Sequence, residues 1–205
     1  MKPQLAEDAI LDKIQFPCGI QPKIDGVRAL NLTGQLTGRS LDPFAGYGIT
    51  EYFSRQKFVG LDGEMTSGDV PNCPNRLCSR TTGDMGRFKG VTEMADLHWW
   101  VFDYLPDPSL PYQSRYTLLE VKVKELGHPR IKVVPMTVVD NHDDLQATIE
   151  RHLADGYEGT ITRNLFAPYK PGRATQKGQQ LWRFKVQRKD ATEQAGQNPC
   201  WHESI

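Results

Sequence analysis

The segment Gln21-Pro22-Lys23-Ile24-Asp25-Gly26-Val27-Arg28 places an amine, a carboxylate, a glycine and a guanidinium close together between apolar neighbours. On an extended strand Lys23 and Asp25 share one face. Asp-Gly offers a turn or bulge where backbone can approach a ligand. Arg28 brings a planar fork suited to phosphate. These are the parts of a phosphate-directed site; the competing reading is a charged surface turn. Further along, Glu64 follows Asp62-Gly63, Glu158 precedes Gly159, and Arg183 and Lys185 flank one apolar residue. Two cations at i and i+2 of a strand share a face.

Lys23-Ile24-Asp25-Gly26-Val27-Arg28 resembles the leading motif, Lys-x-Asp-Gly-x-Arg, of the covalent nucleotidyltransferases. These are the ATP-dependent DNA ligases, RNA ligases and mRNA-capping enzymes. The later motifs of that superfamily follow in order. Arg39 falls after the first hairpin, although Leu41 stands where a glycine is usual. Asp62-Gly63-Glu64 resembles the third motif, and Trp100-Val101-Phe102-Asp103 resembles the apolar strand ending in Phe-Asp. Glu158-Gly159 resembles the fourth motif, with Arg163 in place of the commoner lysine. Arg183-Phe184-Lys185 resembles the fifth, with arginine for its first lysine. The short leader and the wording of the first motif look most like compact ATP-dependent DNA ligases of the bacteriophage type. The fold this resemblance implies is α+β, two antiparallel sheets flanked by helices with a nucleotide cleft between them.

The elements that must position these residues are read from periodicity and punctuation. Residues 6–14 have helical apolar spacing. Residues 19–32 read as two strands' worth of extended chain, with a hairpin turn at 33–35 and a return strand over 36–40 carrying Arg39. A helix is expected over 49–57 and a strand over 58–65. Residues 66–90, rich in Gly, Asn, Pro and Ser, read as a long loop carrying Arg76, Arg80 and Arg87. A buried strand is expected over 98–105, a helix over 112–126 stopped by Gly127, a strand over 131–135, and a helix ending at Ala154 capped by Asp140 or Asn141. Strands at 157–163 and 181–186 complete the series.

The chain has 205 residues, with Lys+Arg 25 balancing Asp+Glu 25. A net charge of zero argues against binding nucleic acid by bulk charge alone. Yet between Arg163 and Lys189 the charged residues are all basic, Lys170, Arg173, Lys177, Arg183, Lys185 and Arg188, which concentrates positive potential where phosphates could dock. A solvated basic loop is the other reading. No apolar run is long enough to span a bilayer, and the first residues are unlike a secretory signal. Four cysteines suggest no disulfide scaffold. Cys73 and Cys78 lack a nearby histidine to complete a familiar zinc site. The expectation is a monomer in a reduced cytoplasm, the host's for a viral source, with no membrane partner. An adenylation domain is expected over 1–189 and a tail over 190–205. No OB-fold domain with the sixth basic motif of full-length ligases is expected within these 205 residues, so the basic face is expected to make most phosphate contacts.

The resemblance implies this chemistry. Lys23 attacks the α-phosphate of ATP, pyrophosphate leaves, and a lysyl–AMP forms, which is nucleophilic catalysis. AMP passes to the 5′-phosphate of nicked duplex DNA, and the 3′-hydroxyl displaces it to seal the strand. Freeing a lysine amine of its proton at pH 7 costs roughly 4.6 kcal/mol, a cost that neighbouring Arg28, Lys185 and a metal are expected to lower. Lys23, Asp25 and Lys185 would be catalytic. Arg28, Arg39, Glu64, Phe102, Arg183 and Lys185 would hold the nucleotide, Phe102 by stacking on the base. Glu158 and Glu64 would hold Mg²⁺ or Mn²⁺. The alternatives are an RNA ligase, a capping guanylyltransferase, or a nucleic-acid-binding module with a disused site.

Overall fold

The computed structural model describes residues 1–45, 47–68, 77–90, 96–178 and 180–185. Among these residues it is an α+β fold of two five-stranded sheets, a two-stranded pair and four α-helices. The strands are β1 (Gln4–Leu5), β2 (Glu7–Asp8), β3 (Cys18–Lys23), β4 (Val27–Asn31), β5 (Leu36–Thr37), β6 (Leu61–Ser67), β7 (Leu97–Tyr104), β8 (Ile131–Val133), β9 (Thr137–Val139), β10 (Gly159–Asn164), β11 (Gly172–Arg173) and β12 (Leu181–Lys185). The helices are α1 (Tyr47–Phe53), α2 (Leu77–Arg87), α3 (Tyr112–Leu126) and α4 (His142–Ala154). The first sheet runs β2-β12-β10-β3-β9 and the second β5-β4-β6-β7-β8; β1 and β11 form a separate pair. The antiparallel sheets expected from the resemblance are in fact mixed, because β2 lies parallel to β12 and β8 parallel to β7.

Residue alternation decides which face of each sheet is which. In β3, Cys18 and Ile20 pack with Val139, Leu145 and Ile149 under α4, so Gln21 and Lys23 point the other way. In β7, Trp99 and Val101 join the large apolar core with Phe53, Phe58, Met85 and Phe88, which turns Trp100 and Phe102 outward. The polar faces of the two sheets enclose the cleft.

Two expectations of local structure fail for identifiable reasons. Residues 6–14 form β2 and a single 3₁₀ turn at Leu11–Lys13 rather than a helix. The edge of β12 offers unpaired backbone, and Trp182 and Arg183 take Glu7 and Asp8 as partners. The expected loop over 66–90 contains α2, despite Gly83 and Gly86. Thr81, Met85 and Phe88 are buried against the second sheet, and Thr81 Oγ1 accepts from the Ser67 amide at 2.9 Å. Tertiary packing overrides the helix penalty of glycine there. Arg76, Cys73 and the chain from 186 onward, including Lys189, lie outside the described residues, as does the Cys78 side chain.

The helix ends follow their sequence signals. Asn141 Oδ1 accepts from the Asp144 amide at 2.9 Å to start α4, and Gly127 adopts φ +52° to stop α3.

His128 sits just beyond α3 in the aromatic cluster, with Nε2 3.0 Å from the Tyr52 hydroxyl and Nδ1 accepting from the Arg130 amide at 3.2 Å. Burial first, then the charges of Lys57, Arg130 and Arg55, lower its pKa to about 4. The unfolded chain regains an ordinary imidazole near 6.5. A neutral His128 therefore stabilises the fold above pH 6.5, and that contribution is lost as pH falls toward 4. Between pH 7 and 4 the wild type should lose on the order of 2 kcal/mol more than His128→Phe. Parallel pH–stability curves in urea would dismiss this account.

Candidate active site

Lys23 is the last residue of β3, and Gly159 of β10 is its neighbour across the ladder; Lys185 of β12 neighbours Gly159 on its other side. The two lysines therefore flank a residue with no side chain, roughly 9–10 Å apart at Cα. Only glycine fits there, since φ is +153° and an added Cβ would lie 1.9 Å from the Phe184 carbonyl oxygen. Glu158 stands just before it, delivered by the close of α4 at Asp155-Gly156. One Glu158 oxygen accepts from Lys23 Nζ, and the other lies 3.0 Å from Lys185 Nζ. Burial pushes the Glu158 carboxyl up, but Lys23 and then Lys185 outweigh it and hold it below the usual range.

The second sheet supplies the opposite wall. Arg28 is level with Glu64 across the β4–β6 ladder. Asp62 faces Asp103 while Gly63 faces Val101, so β7 carries one extra residue, Phe102. This bulge turns both Phe102 and Asp103 toward the cleft. Burial pushes the Glu64 carboxyl up to about 7 against the pull of Arg28 and Lys23, with Asp62 and Glu158 adding to the rise.

Between the walls lies a cavity of about 210 Å³. Lys23, Arg28, Arg39, Glu64, Phe102, Arg183 and Lys185 all line it. Seven of the expected site residues thus meet in one space, and Glu158 joins them through Lys23 and Lys185. Cations outnumber carboxylates on the lining, which suits a polyanionic ligand.

Three expectations need correction. Asp25 lies beyond the end of β3 and is not among the lining residues. The strand ends at Lys23, where the chain leaves the first sheet for the second, and period-2 alternation ends with it. Of the cations expected around the Lys23 amine, Lys185 stands beside it through the shared Glu158, but Arg28 is placed differently. The charge against Nζ is the Glu158 carboxylate, and Arg28 donates to both oxygens of Asp62 at 2.7 Å. Arg39 lines the cavity, but from a turn beyond β5 rather than from a strand. That turn forces Leu41 to φ +71°. The residue stands where the resembled motif has glycine, and a left-handed side-chain residue costs roughly 1–2 kcal/mol.

Other lining residues were not among the expected site residues, although Asp103 and Arg163 fall within the resembled motifs. Ile161 lies between Gln21 and Arg183 in the first sheet, and period-2 counting from Gly159 would have placed it there. Gln21 Oε1 accepts from Arg163 at 2.8 Å and from the Tyr112 hydroxyl at 3.0 Å, and its amide donates to the Val134 carbonyl at 3.2 Å. Asp103 accepts from Arg115 Nε and Nη2 at 2.9 and 3.1 Å and lies 3.7 Å from Arg163. The guanidinium carbons of Arg28 and Arg163 stand 4.7 and 5.1 Å from the Phe102 ring centroid. No local pattern marks these contacts, because their partners are far apart in the chain.

A divalent cation fits the donors present. Glu64 lines the cavity and Glu158 is held beside it by Lys23 and Lys185, and carboxylate oxygens are the donors such a cation takes. No cluster of three or more His, Cys, Asp or Glu occurs among the described residues. No helix among the described residues is long and apolar enough to cross a membrane.

The family described as ATP dependent DNA ligase domain matches residues 3–185. A probable DNA ligase of Dictyoglomus turgidum is 27% identical over 173 residues, 76% of this chain and 29% of that protein. A DNA ligase of African swine fever virus is 32% identical over 92 residues, 42% of this chain and 22% of that protein. The chain thus spans less than a third of either relative. Among solved structures, the Chlorella virus DNA ligase-adenylate is similar with a TM-score of 0.73 at 27% identity, covering 90% of this chain and 67% of that one. The bacteriophage T7 ATP-dependent DNA ligase in complex with ATP shares the fold, with a TM-score of 0.61 at 16% identity over 90% of this chain and 68% of that one.

Proposed function

The chain belongs to the ATP dependent DNA ligase domain family, and from that premise we propose that it is the adenylation unit of a DNA-joining enzyme with Lys23 as its nucleophile. The observation that carries this reading is the placement of Lys23 Nζ on the cavity wall, against Glu158 and beside the side-chain-free Gly159. A phosphoryl group can approach Lys23 there without steric conflict, flanked by Lys185.

In this reading the amine of Lys23 attacks the α-phosphorus of ATP, the bond to pyrophosphate breaks, and a phosphoramidate to AMP forms. Glu158 is the acceptor in contact with Nζ and holds the ammonium proton until the amine is released. Lys185 and Arg183, on one face of β12, offset charge on the phosphoryl oxygens. Mg²⁺ or Mn²⁺, held by Glu64 and Glu158, would supply positive charge beside the same oxygens. AMP then passes to the 5′-phosphate of a nick, and the 3′-hydroxyl displaces it. Arg28, fixed by buried Asp62, frames Phe102 rather than reaching freely for phosphate.

Phe102 lies across the cavity from Ile161, an aromatic and an aliphatic surface suited to a base. Phe102→Ala should weaken ATP affinity by roughly 1–3 kcal/mol, read by calorimetry. A sharp loss of thermal stability with unchanged affinity would make Phe102 a core residue only.

The acceptor is tested by competition. AMP-loaded protein is offered nicked DNA, nicked RNA and diphosphate-ended RNA together. Preferential sealing of DNA is the expected outcome. Preferential use of either RNA would reassign the activity, and a protein that takes up no AMP at all would be a binding module.

A further inference from the structure

The cations lining the cavity are held by different kinds of partner. Arg28 and Arg163 pair with Asp62 and Asp103, both wholly buried. Lys23 and Lys185 share Glu158, which is 26% exposed. Arg183 differs. Its Nε and Nη2 donate to the two oxygens of Asp8 at 2.6 and 3.3 Å, and Asp8 is 71% exposed.

Asp8 belongs to an N-terminal strap across the cleft mouth. At one end β1 pairs with β11, and the Arg173 guanidinium donates to the Ala6 carbonyl at 2.8 Å. At the other end β2 lies against the edge of β12, with Asp8 directly beside Arg183, and the Ala9 amide donates to the Arg183 carbonyl at 3.0 Å. Gln4, Leu5 and Ala6 line the cavity itself. The Arg183 hydrogen bond, opposed by burial and aided by the charges of Arg183, Arg173 and Lys185, holds the Asp8 carboxyl below its ordinary range.

We propose that Asp8 is an exchangeable stand-in for ligand phosphate on Arg183. The inference rests on the reading of this cleft as a ligase adenylation site. A carboxylate and a phosphate present the same two-oxygen edge to a guanidinium fork, so they compete for it. Backbone pairing holds the strap independently of Asp8, which leaves the side chain able to let go while the strap stays. The pair is largely in water, where such contacts contribute little and exchange readily, whereas the buried carboxylates on Arg28 and Arg163 cannot be displaced without stranding a charge. The incoming group is a phosphate monoester or polyphosphate, from the nucleotide or from the 5′ end of a nick.

The test compares wild type, Asp8→Asn, Asp8→Glu and Asp8→Asn with Arg183→Gln, with Asp12→Asn as an equal change of net charge elsewhere. One arm measures KM and maximal rate for ATP in self-adenylylation. The other measures binding of nicked DNA by AMP-loaded protein at low salt. Asp8→Asn should tighten one of the two about two- to fivefold, seen in KM or Kd rather than in the maximal rate. The arm that responds identifies the source of the phosphate. Asp8→Glu should restore wild-type behaviour, Asp12→Asn should match wild type, and the gain should vanish when Arg183 is also replaced. Unchanged affinity in both arms overturns the proposal, as does weaker binding by Asp8→Asn, which would make Asp8 an orienter of Arg183. A wild-type protein that takes no AMP onto Lys23 would instead sink the underlying reading of the site.

Discussion

Lys23→Arg should remain folded and take up no adenylate when incubated with ATP and Mg²⁺. The guanidinium keeps the positive charge against Glu158 but offers no amine that can shed its proton near neutral pH. The Lys23–Glu158 pair is partly solvated, with the side chains 20% and 26% exposed, so altering it should cost at most about 1 kcal/mol of stability. Loss of the nucleophile should lower adduct formation on the order of 10³-fold or more. Intact mass measures the adduct, and peptide mapping of wild type should find it on Lys23 alone. An adduct on Lys13 or Lys185 would remove Lys23 from its assigned role.

Asp103→Ala should be the most destabilising single change around the cavity. Asp103 is fully buried and answers two guanidiniums, Arg115 and Arg163, themselves 1% and 5% exposed. Arg115 also donates to the Leu110 and Ala167 carbonyls at 2.5 and 3.4 Å. Those acceptors satisfy hydrogen bonds without neutralising charge. Breaking a buried pair by removing one partner costs about 3–5 kcal/mol. At 2–4 °C per kcal/mol for a domain of this size, the melting temperature should fall by roughly 6–20 °C. Asp103→Asn keeps an acceptor but not the charge and should lie between alanine and wild type. A loss under about 1 kcal/mol in urea unfolding would mean that the carbonyls alone suffice. Arg163 also stands over Phe102 and donates to Gln21, so the damage should extend to nucleotide affinity.

Both variants test residues of different legibility. Lys23 could be picked out by type and spacing, because chemistry on phosphate restricts which side chains serve; Glu64, Phe102, Glu158, Arg183 and Lys185 stood out only through the ordered motifs they resemble. The cleft gathers them as expected, Glu158 through its two lysines. Helices α3 and α4 were legible to within a residue, since Gly127 and Asn141 are strong local signals of stop and start. Asp103 appeared only as the end of a motif, and nothing near it in sequence announced that Arg115 and Arg163 would bury it. Helix α2 and strand β2 were missed because their stability comes from surfaces supplied elsewhere, the second sheet for Thr81, Met85 and Phe88, and the free edge of β12 for Glu7 and Asp8.

Asp25 marks the boundary between the two kinds of information. Its spacing from Lys23 promised a shared face, and that promise holds only while a strand continues. Whether it continues is decided where the chain crosses between sheets, which depends on Gly159 and Met65 as pairing partners far along the sequence. The sequence by itself determined which chemical groups were available, the order in which they occur, and the helices whose ends are capped locally. Only the tertiary structure decided which carboxylate answers which cation: Glu158 for Lys23, Asp62 for Arg28, Asp103 for Arg115 and Arg163, Asp8 for Arg183. Charge pairing acts over a few ångströms of space, and between residues separated by up to 175 positions only the completed fold sets that distance.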